Sequence, residues 1–487
     1  MKSKNYFSKI ALAIVLLFAV ATKANNVQIT GTSVSGTNIS FNISWENSWY
    51  ASATPANWDA VWVFVKYQDC NTKLWNHVNL NPSGHSVGSP LQVNTVTDNK
   101  GVFLRRSAIG GGNISSTAVT LSMNLPAGTY NYKVYGIEMV NIPQGDFQIG
   151  DASSYYTYNS ISINSSAQTS GLTAASIQAS YSAAVPATFP MGYNSFYCMK
   201  YEISVEQYAD FLNSLTFDQQ KNRVEMDPIS AAGTYAMYSG SALQYRCGLS
   251  IVTPGSNGAI PAVFGSDATP GTPNSANDGQ NVAMNILSWF DVAAYLDWAA
   301  LRPMTELEFE KVCRGPENRI AGEYAWGSNQ VTQVISNALN NAFQANETSS
   351  ATVNNGMCTY GLNSVNSAYG PIRVGALATG SSGRLSSGAA YYGVMEMSGN
   401  VWETVIGTYY ANGVAYNGTL GDGTLTATGF ANQSTWPTEN SASNGVGARG
   451  GSWINTLPFI CTSDRYNIIN SNGSPTRLYG IGGRGVR

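Results

Sequence analysis

Two carboxylates flank a Gly-Asn pair in Glu396-Met397-Ser398-Gly399-Asn400-Val401-Trp402-Glu403, and Arg449-Gly450-Gly451-Ser452-Trp453 follows later in the chain. Neither stretch has the period of a helix or of a half-buried strand. Gly and Asn tolerate unusual backbone angles, so the first stretch reads as a loop. Loops that carry oxygen ligands at close spacing suit a hard cation such as calcium. On these residues alone, a tight turn around a core tryptophan is the better explanation.

Three helices are predicted to position the surrounding chain, each from its capping chemistry. Ser204-Val205-Glu206-Gln207 is a capping box, followed by Tyr208, Phe211, Leu212 and Leu215 at helical spacing. Ser288 to Asp291 is a looser signal of the same kind. Thr305-Glu306-Leu307-Glu308 is another box, with acids in the first turn where the helix dipole favours them. Glu306, Glu308 and Glu310 could pass for a catalytic acid cluster, but capping and a solvated helix face account for them. Residues 218–285 and 328–368 are long, rich in Gly, Asn, Ser and Thr, and weakly periodic. Chain of that kind needs staples, for which disulfides and bound cations are the usual means.

Residues 25–135 read as an all-β sandwich, immunoglobulin-like or fibronectin-like. Ile39, Phe41, Ile43 and Trp45 alternate with polar residues, and Val61 to Tyr67 is an apolar run fit for a central strand. Trp45, Trp49, Trp58, Trp62 and Trp75 fall here. They could form a glycan-binding face, although filling a core is the commoner use of such rings. His77 and His85 are the two histidines of the whole chain and make no metal signature. Residues 151–195 read as an inserted surface excursion whose tyrosines imply that part of it packs or binds.

Net charge is −3, which gives no electrostatic case for nucleic acid. Charged residues make up 11% of the chain, against about 25% in ordinary globular proteins. That balance suits extracellular β-rich proteins. Lys2, Lys4 and Lys9 precede an apolar run from Ile10 to Ala21, so residues 1–24 read as a secretory signal. No later stretch is long and apolar enough to span a membrane. The expected location is therefore secreted, periplasmic or cell-surface. The cysteines, Cys70, Cys198, Cys247, Cys313, Cys358 and Cys461, are even in number, which favours disulfides; six thiols allow fifteen pairings.

From residue 136 onward the chain resembles the formylglycine-generating enzyme (sulfatase-modifying factor) family. Ile137 to Phe147 looks like its opening strand. Lys200 to Tyr208 (KYEISVEQY) resembles its KYEVTNAQY segment, and Leu301 to Glu310 (LRPMTELEFE) is similar to LRLPTEAEWE. GNVWE and RGGSW follow, and the chain closes on Gly482-Gly483-Arg484-Gly485-Val486-Arg487, where many members have GFRVVR. The resemblance implies an α+β domain over 136–487, with insertions at about 151–195 and 218–285, on a scaffold similar to C-type lectins with little regular secondary structure.

The same resemblance implies site residues. Calcium would be held by Glu396 and Glu403 and by the carbonyls of Gly399 and Val401. A second calcium would use Asn366, the Ala368 carbonyl and either Asn337 or Asn340. There an Asn replaces the family's usual Asp, which weakens divalent binding. Cys313 would pair with Cys461. The family's copper-binding cysteine pair would fall near Asn455 and Ile460, where Cys461 is the one nearby thiol. A related branch uses histidines for nonheme iron, and this region has no histidine. No copper or iron is therefore expected, and the domain reads as non-catalytic. Trp453, Arg465, Tyr466, Arg477 and Tyr479 are candidate binding residues. Arg449, Arg484 and Arg487 could simply brace core strands, and Asp464-Arg465 could be an internal ion pair.

The expected role is binding a protein or glycan ligand, or self-association, at a bacterial cell surface. An active oxidase with an atypical metal set and a carbohydrate-binding protein acting through the Trp-rich region are the alternatives.

Overall fold

The computed structural model describes residues 26–487 except 154–155, 179, 241, 257, 270, 364–365, 439–442 and 471–475; the expected signal segment lies outside these. The fold is mixed α and β, with strands predominating over helices. No helix among the described residues is long and apolar enough to cross a membrane.

Two sheets make up the N-terminal region. In the first, Asn38–Tyr50 pairs antiparallel with Gln28–Ser35 and with Gly110–Asn124. The second runs in the order Arg302–Pro303, Gly485–Val486, Phe196–Met199, Tyr130–Ile142, Asp59–Asp69, Val102–Arg106, Leu91–Thr95. The alternation at Ile39, Phe41, Ile43 and Trp45 puts all four side chains inward. There they pack on Val61, Val63 and Val65 of the second sheet.

Asp59–Asp69 is buried on both faces, which is why it reads as an almost unbroken apolar run. Its other face, with Trp62 and Phe64, belongs to the core of the C-terminal region. Trp62 Nε1 donates to the Ala299 carbonyl at 2.9 Å. Lys66 Nζ donates to the carbonyls of Trp298 and Gly423 at 2.7 Å each.

The expected boundary at residue 135 falls inside one strand. Tyr130–Ile142 pairs with Asp59–Asp69 from Tyr130↔Asp69 to Val140↔Asp59, and on its other edge with Phe196–Met199. Both regions are thus built onto one sheet, without a linker between them.

All three predicted helices form: Val205–Leu212, Trp289–Trp298 and Glu306–Arg314, capped by Ser204, Ser288 and Thr305 with reciprocal N3 side-chain bonds. Part of residues 151–195 packs, as its tyrosines imply, and the segment does not lie wholly at the surface. Ile161–Ile163 pairs with Phe147–Ile149, and Tyr158, Phe189 and Met191 are buried in the main core. Of the expected staples, the disulfides are not formed. All six cysteines are free, and the irregular chain is tied instead by buried ion pairs. Arg246 pairs with the Glu347 carboxylate, which also accepts from Arg373 N–H at 2.7 Å, while Arg373 Nε donates to the Glu347 carbonyl at 3.0 Å. Arg223 and Arg477 meet Asp291 at 3.2 and 2.8 Å.

Candidate functional site

A three-stranded sheet brings the two C-terminal motifs side by side. Trp402–Ile406 pairs antiparallel with Val446–Arg449, in the register Glu403↔Arg449, and parallel with Ile481–Gly482. Gly399 N–H donates to the Gly450 carbonyl at 2.8 Å, and Trp453 N–H to the Asn400 carbonyl at 2.9 Å. The loop reading holds for the front of the first motif: Glu396, Gly399 and Asn400 have φ of 57°, 82° and 60°. Its tail, Trp402 and Glu403, begins the strand.

Gly399 is required twice over. Its φ is left-handed, and a Cβ there would lie 2.3 Å from Cys358 Sγ and 2.5 Å from the Thr359 carbonyl oxygen. Gly399→Ala is expected to cost about 2–4 kcal/mol through overpacking and backbone strain, measured by urea unfolding. A cost below about 1 kcal/mol would mean that the loop relaxes freely.

Behind this loop three carboxylates are buried together. Asn400 Nδ2 and Val401 N–H both donate to Glu202, at 2.5 and 3.0 Å. Glu396 Oε1 accepts from Gly375 N–H at 2.9 Å. Arg484 Nη2 lies 2.7 Å from Glu403 Oε1 as an ion pair without hydrogen-bond alignment. Glu396 Oε2 and both Glu403 oxygens are buried without a hydrogen-bond donor.

Burial pushes Glu396 and Glu403 up to about 7 against the pull of Arg484. Burial, then the negative charge of Glu396, pushes Glu202 well up. Three carboxylates share Arg484, with Arg373 acting on Glu396 as well, which still leaves negative charge in excess, and orphaned buried oxygens are costly. A hard cation would answer both, with Glu396 and Glu403 as its side-chain donors. Among the described residues, no three His, Cys, Asp or Glu side chains form a metal-holding group. An ion here would therefore depend on the backbone carbonyls. The sequence reading missed Glu202; an acid inside the otherwise apolar Tyr201-Glu202-Ile203 was the available signal.

The other expected residues are placed differently. Asn366 and Ala368 are exposed, and Asn366 Oδ1 accepts from Ala368 N–H at 3.1 Å. Asn337 is exposed, and Asn340 donates to the Ser349 carbonyl at 3.2 Å. Each of these bonds is local.

The Cys313–Cys461 bridge is not formed. Cys313 is sealed in an apolar cluster with Phe309 and Val312, whereas Cys461 Sγ faces the carbonyls of Leu457 and Gly322 at 3.5 and 3.7 Å. Asn455 Oδ1 accepts from the backbone and hydroxyl of Ser452, at 3.0 and 2.6 Å. Ile460 is buried against Tyr324, Trp326 and Cys358.

Of the binding candidates, Trp453 and Arg465 are fully buried. Trp453 Nε1 donates to the Tyr479 carbonyl at 3.1 Å. Arg465 pairs with Glu306, not with Asp464. Arg477 holds Asp291 with two bonds of 2.8 and 2.9 Å. Tyr466 is 36% exposed and Tyr479 half-buried, so these two alone keep ring surface in reach of a ligand.

Glu306, Glu308 and Glu310 are also not the solvated face expected of them. All three are buried and salt-bridged, to Arg449 and Arg465, to Arg302, and to Arg314 and Arg449 respectively. Arg449 and Arg484 are core braces, as one of the sequence readings had it.

Among the tryptophans, Trp45 and Trp62 are core. Trp49, Trp58 and Trp75 are half-buried, and each is faced by a cation: Lys200, Arg105 and Lys133 respectively.

Sparse regular structure on a mixed sheet, with an acid-bearing GNVWE loop locked against an RGGSW strand end, defines a domain of the sulfatase-modifying type. A family model described as "Sulfatase-modifying factor enzyme 1-like domain" matches residues 130–481, beginning at the first residue of the shared strand, and the chain belongs to that family. No curated protein matches it.

Proposed function

We propose that this is a secreted or surface-exposed bacterial protein whose sulfatase-modifying-type domain is non-catalytic and serves binding or extracellular assembly, with a structural calcium. The observation that carries this is the pair Asn455 and Ile460, standing where the family resemblance puts copper thiolates. Asn455 is committed to capping its own turn, and Ile460 to packing. Glu396, Gly399, Val401 and Glu403 would hold the calcium, which would neutralise the surplus charge of the acid cluster. The packing of Asn38–Tyr50 on Asp59–Asp69 supports an immunoglobulin-like or fibronectin-like sandwich at the N-terminus.

One observation favours the alternative of an active, atypical oxidase. Cys358 and Cys461 both pack in the small cluster around Ile460, so two thiols share the neighbourhood of the missing pair. Copper(I) titration of the purified protein, read by competition with a chromophoric chelator, separates the readings. Binding no tighter than to a Cys358→Ser variant, with no oxidation of a cysteine-containing peptide, supports the scaffold. Stoichiometric copper lost in that variant, with peptide oxidation, overturns it. The calcium assignment is checked separately by metal analysis and by melting with and without chelator. Unchanged melting and no bound calcium in wild type would sink it.

A further inference from the structure

A cavity of about 290 Å³ opens between the N-terminal sheets and the Val205–Leu212 helix, near the lower end of the roughly 300–1,000 Å³ typical of ligand pockets. Phe64 and Tyr135 reach it from the large sheet, Glu206 and Asp210 from that helix, and Tyr295 and Trp298 from the Trp289–Trp298 helix. None of these residues belongs to the motif loop.

Glu206 and Asp210 are four apart and share one helix face, where like charges repel. Lys133 Nζ stands 3.9 Å from Asp210, with the side chains 41% and 45% exposed. Such a solvent-screened rim pair holds Asp210 only weakly. Among the described residues Glu206 has no ion-pair partner.

A second observation is independent of the acids. Tyr135 is 8% exposed and its hydroxyl has no hydrogen-bond partner; Trp298 is 4% exposed and its Nε1 has none either. Burial, then the charge of Asp210, raises the Tyr135 and Tyr295 phenols. Orphaned buried donors call for an occupant.

Two carboxylates exclude an anion. The set lacks a third ligand side chain for a bare metal ion, which leaves an organic cation; Phe64 and Trp298 are already faced by Lys66, so the carboxylates and not the rings would hold it. We propose that this cavity binds a primary ammonium group carried on a compact body, with the nitrogen between Glu206 and Asp210 and a polar group of the same molecule at Tyr135 Oη. The proposal does not depend on whether the family domain catalyses.

Isothermal titration of the full chain with glucosamine, glucose and N-acetylglucosamine tests it. Glucosamine is expected to bind, the two uncharged sugars at least about tenfold more weakly, and Asp210→Asn or Glu206→Gln to weaken glucosamine by about tenfold each, the factor that corresponds to loss of one charge contact. Tyr135→Phe should weaken it several-fold. Both acids keep solvent-facing surface, so their neutralisation should leave melting unchanged, which a thermal scan verifies. Nα-acetyl-lysine amide distinguishes the source: much weaker affinity than glucosamine assigns the site to an amino sugar, and equal or tighter affinity overturns the compact body while leaving the ammonium group as what is read. No heat with either amine, equal affinity for glucose, or an undiminished Asp210→Asn/Glu206→Gln double variant overturns the proposal.

Discussion

Glu306→Gln is expected to remove about 3–5 kcal/mol of stability, the scale of a broken buried ion pair. The Glu306 carboxylate accepts from Arg449 Nη1 at 2.9 Å, from Arg465 Nε and Nη2 at 2.7 and 2.9 Å, and from Thr408 N–H at 2.7 Å. None of the three side chains in these ion pairs reaches solvent. Glutamine keeps the shape but turns an amide N–H₂ toward two guanidiniums, leaving buried positive charge without its counterion.

The same residue predicts a pH dependence. Burial alone would raise Glu306, but Arg465 and then Arg449 outweigh it and hold the group at about 2, below its ordinary 4.5. A folded-state value below the unfolded one means that the unfolded chain binds the proton first. The stabilisation is therefore complete above about 4.5 and is lost as pH falls toward about 2. Urea unfolding of wild type should weaken across that window, and Glu306→Gln should show a shallower slope. Equal slopes would mean that other carboxylates set the acid limit.

Arg484→Met is expected to be of similar size, about 3–5 kcal/mol, and to change the response to calcium. Arg484 pairs with Glu403 and donates to the carbonyls of Met199, Lys200 and Met395. Without it Glu202, Glu396 and Glu403 face one another with no central cation. Added calcium should then raise the melting temperature more in Arg484→Met than in wild type, because a ligand stabilises by its affinity for the folded state alone. Glu403→Gln should do the opposite, costing less and abolishing the calcium response. Equal calcium responses in all three proteins would remove the Glu396–Glu403 assignment.

What could be read from the sequence was what is local. The capping boxes at Ser204, Ser288 and Thr305 are decided within four residues, and the alternation from Ile39 to Trp45 within one strand; both survive intact. The Gly399-Asn400 turn was legible for the same reason, because its backbone angles are set by residue type. Glu306, Glu308 and Glu310 were misjudged because their environment is not local. The arginines that bury Glu306 lie 143 and 159 residues away, and nothing in the helix itself announces them. Arg465 and Trp453 are binding candidates on composition alone, and a composition typical of interfaces does not tell a bonded guanidinium from a free one; an internal ion pair for Arg465 is legible, but its partner Glu306 is not. Glu202 went unnoticed because its role comes from Asn400 and Val401, 198 and 199 residues on. The break placed at residue 135 followed the change in pattern, yet hydrogen bonding continues across it.

That continuity has a mechanical consequence. Tyr130–Ile142 and Asp59–Asp69 run antiparallel in unbroken register from Tyr130↔Asp69 to Val140↔Asp59. The last residue of the chain is tied back as well: Arg487 N–H bonds the Tyr197 carbonyl, and its side chain grips Asp98 of the N-terminal region. A pull that separates the two regions along the strand loads that whole ladder in shear, so its bonds must fail together. A tether between two beads would have given way at one flexible point; this protein should resist extension as one body until the sheet itself slides.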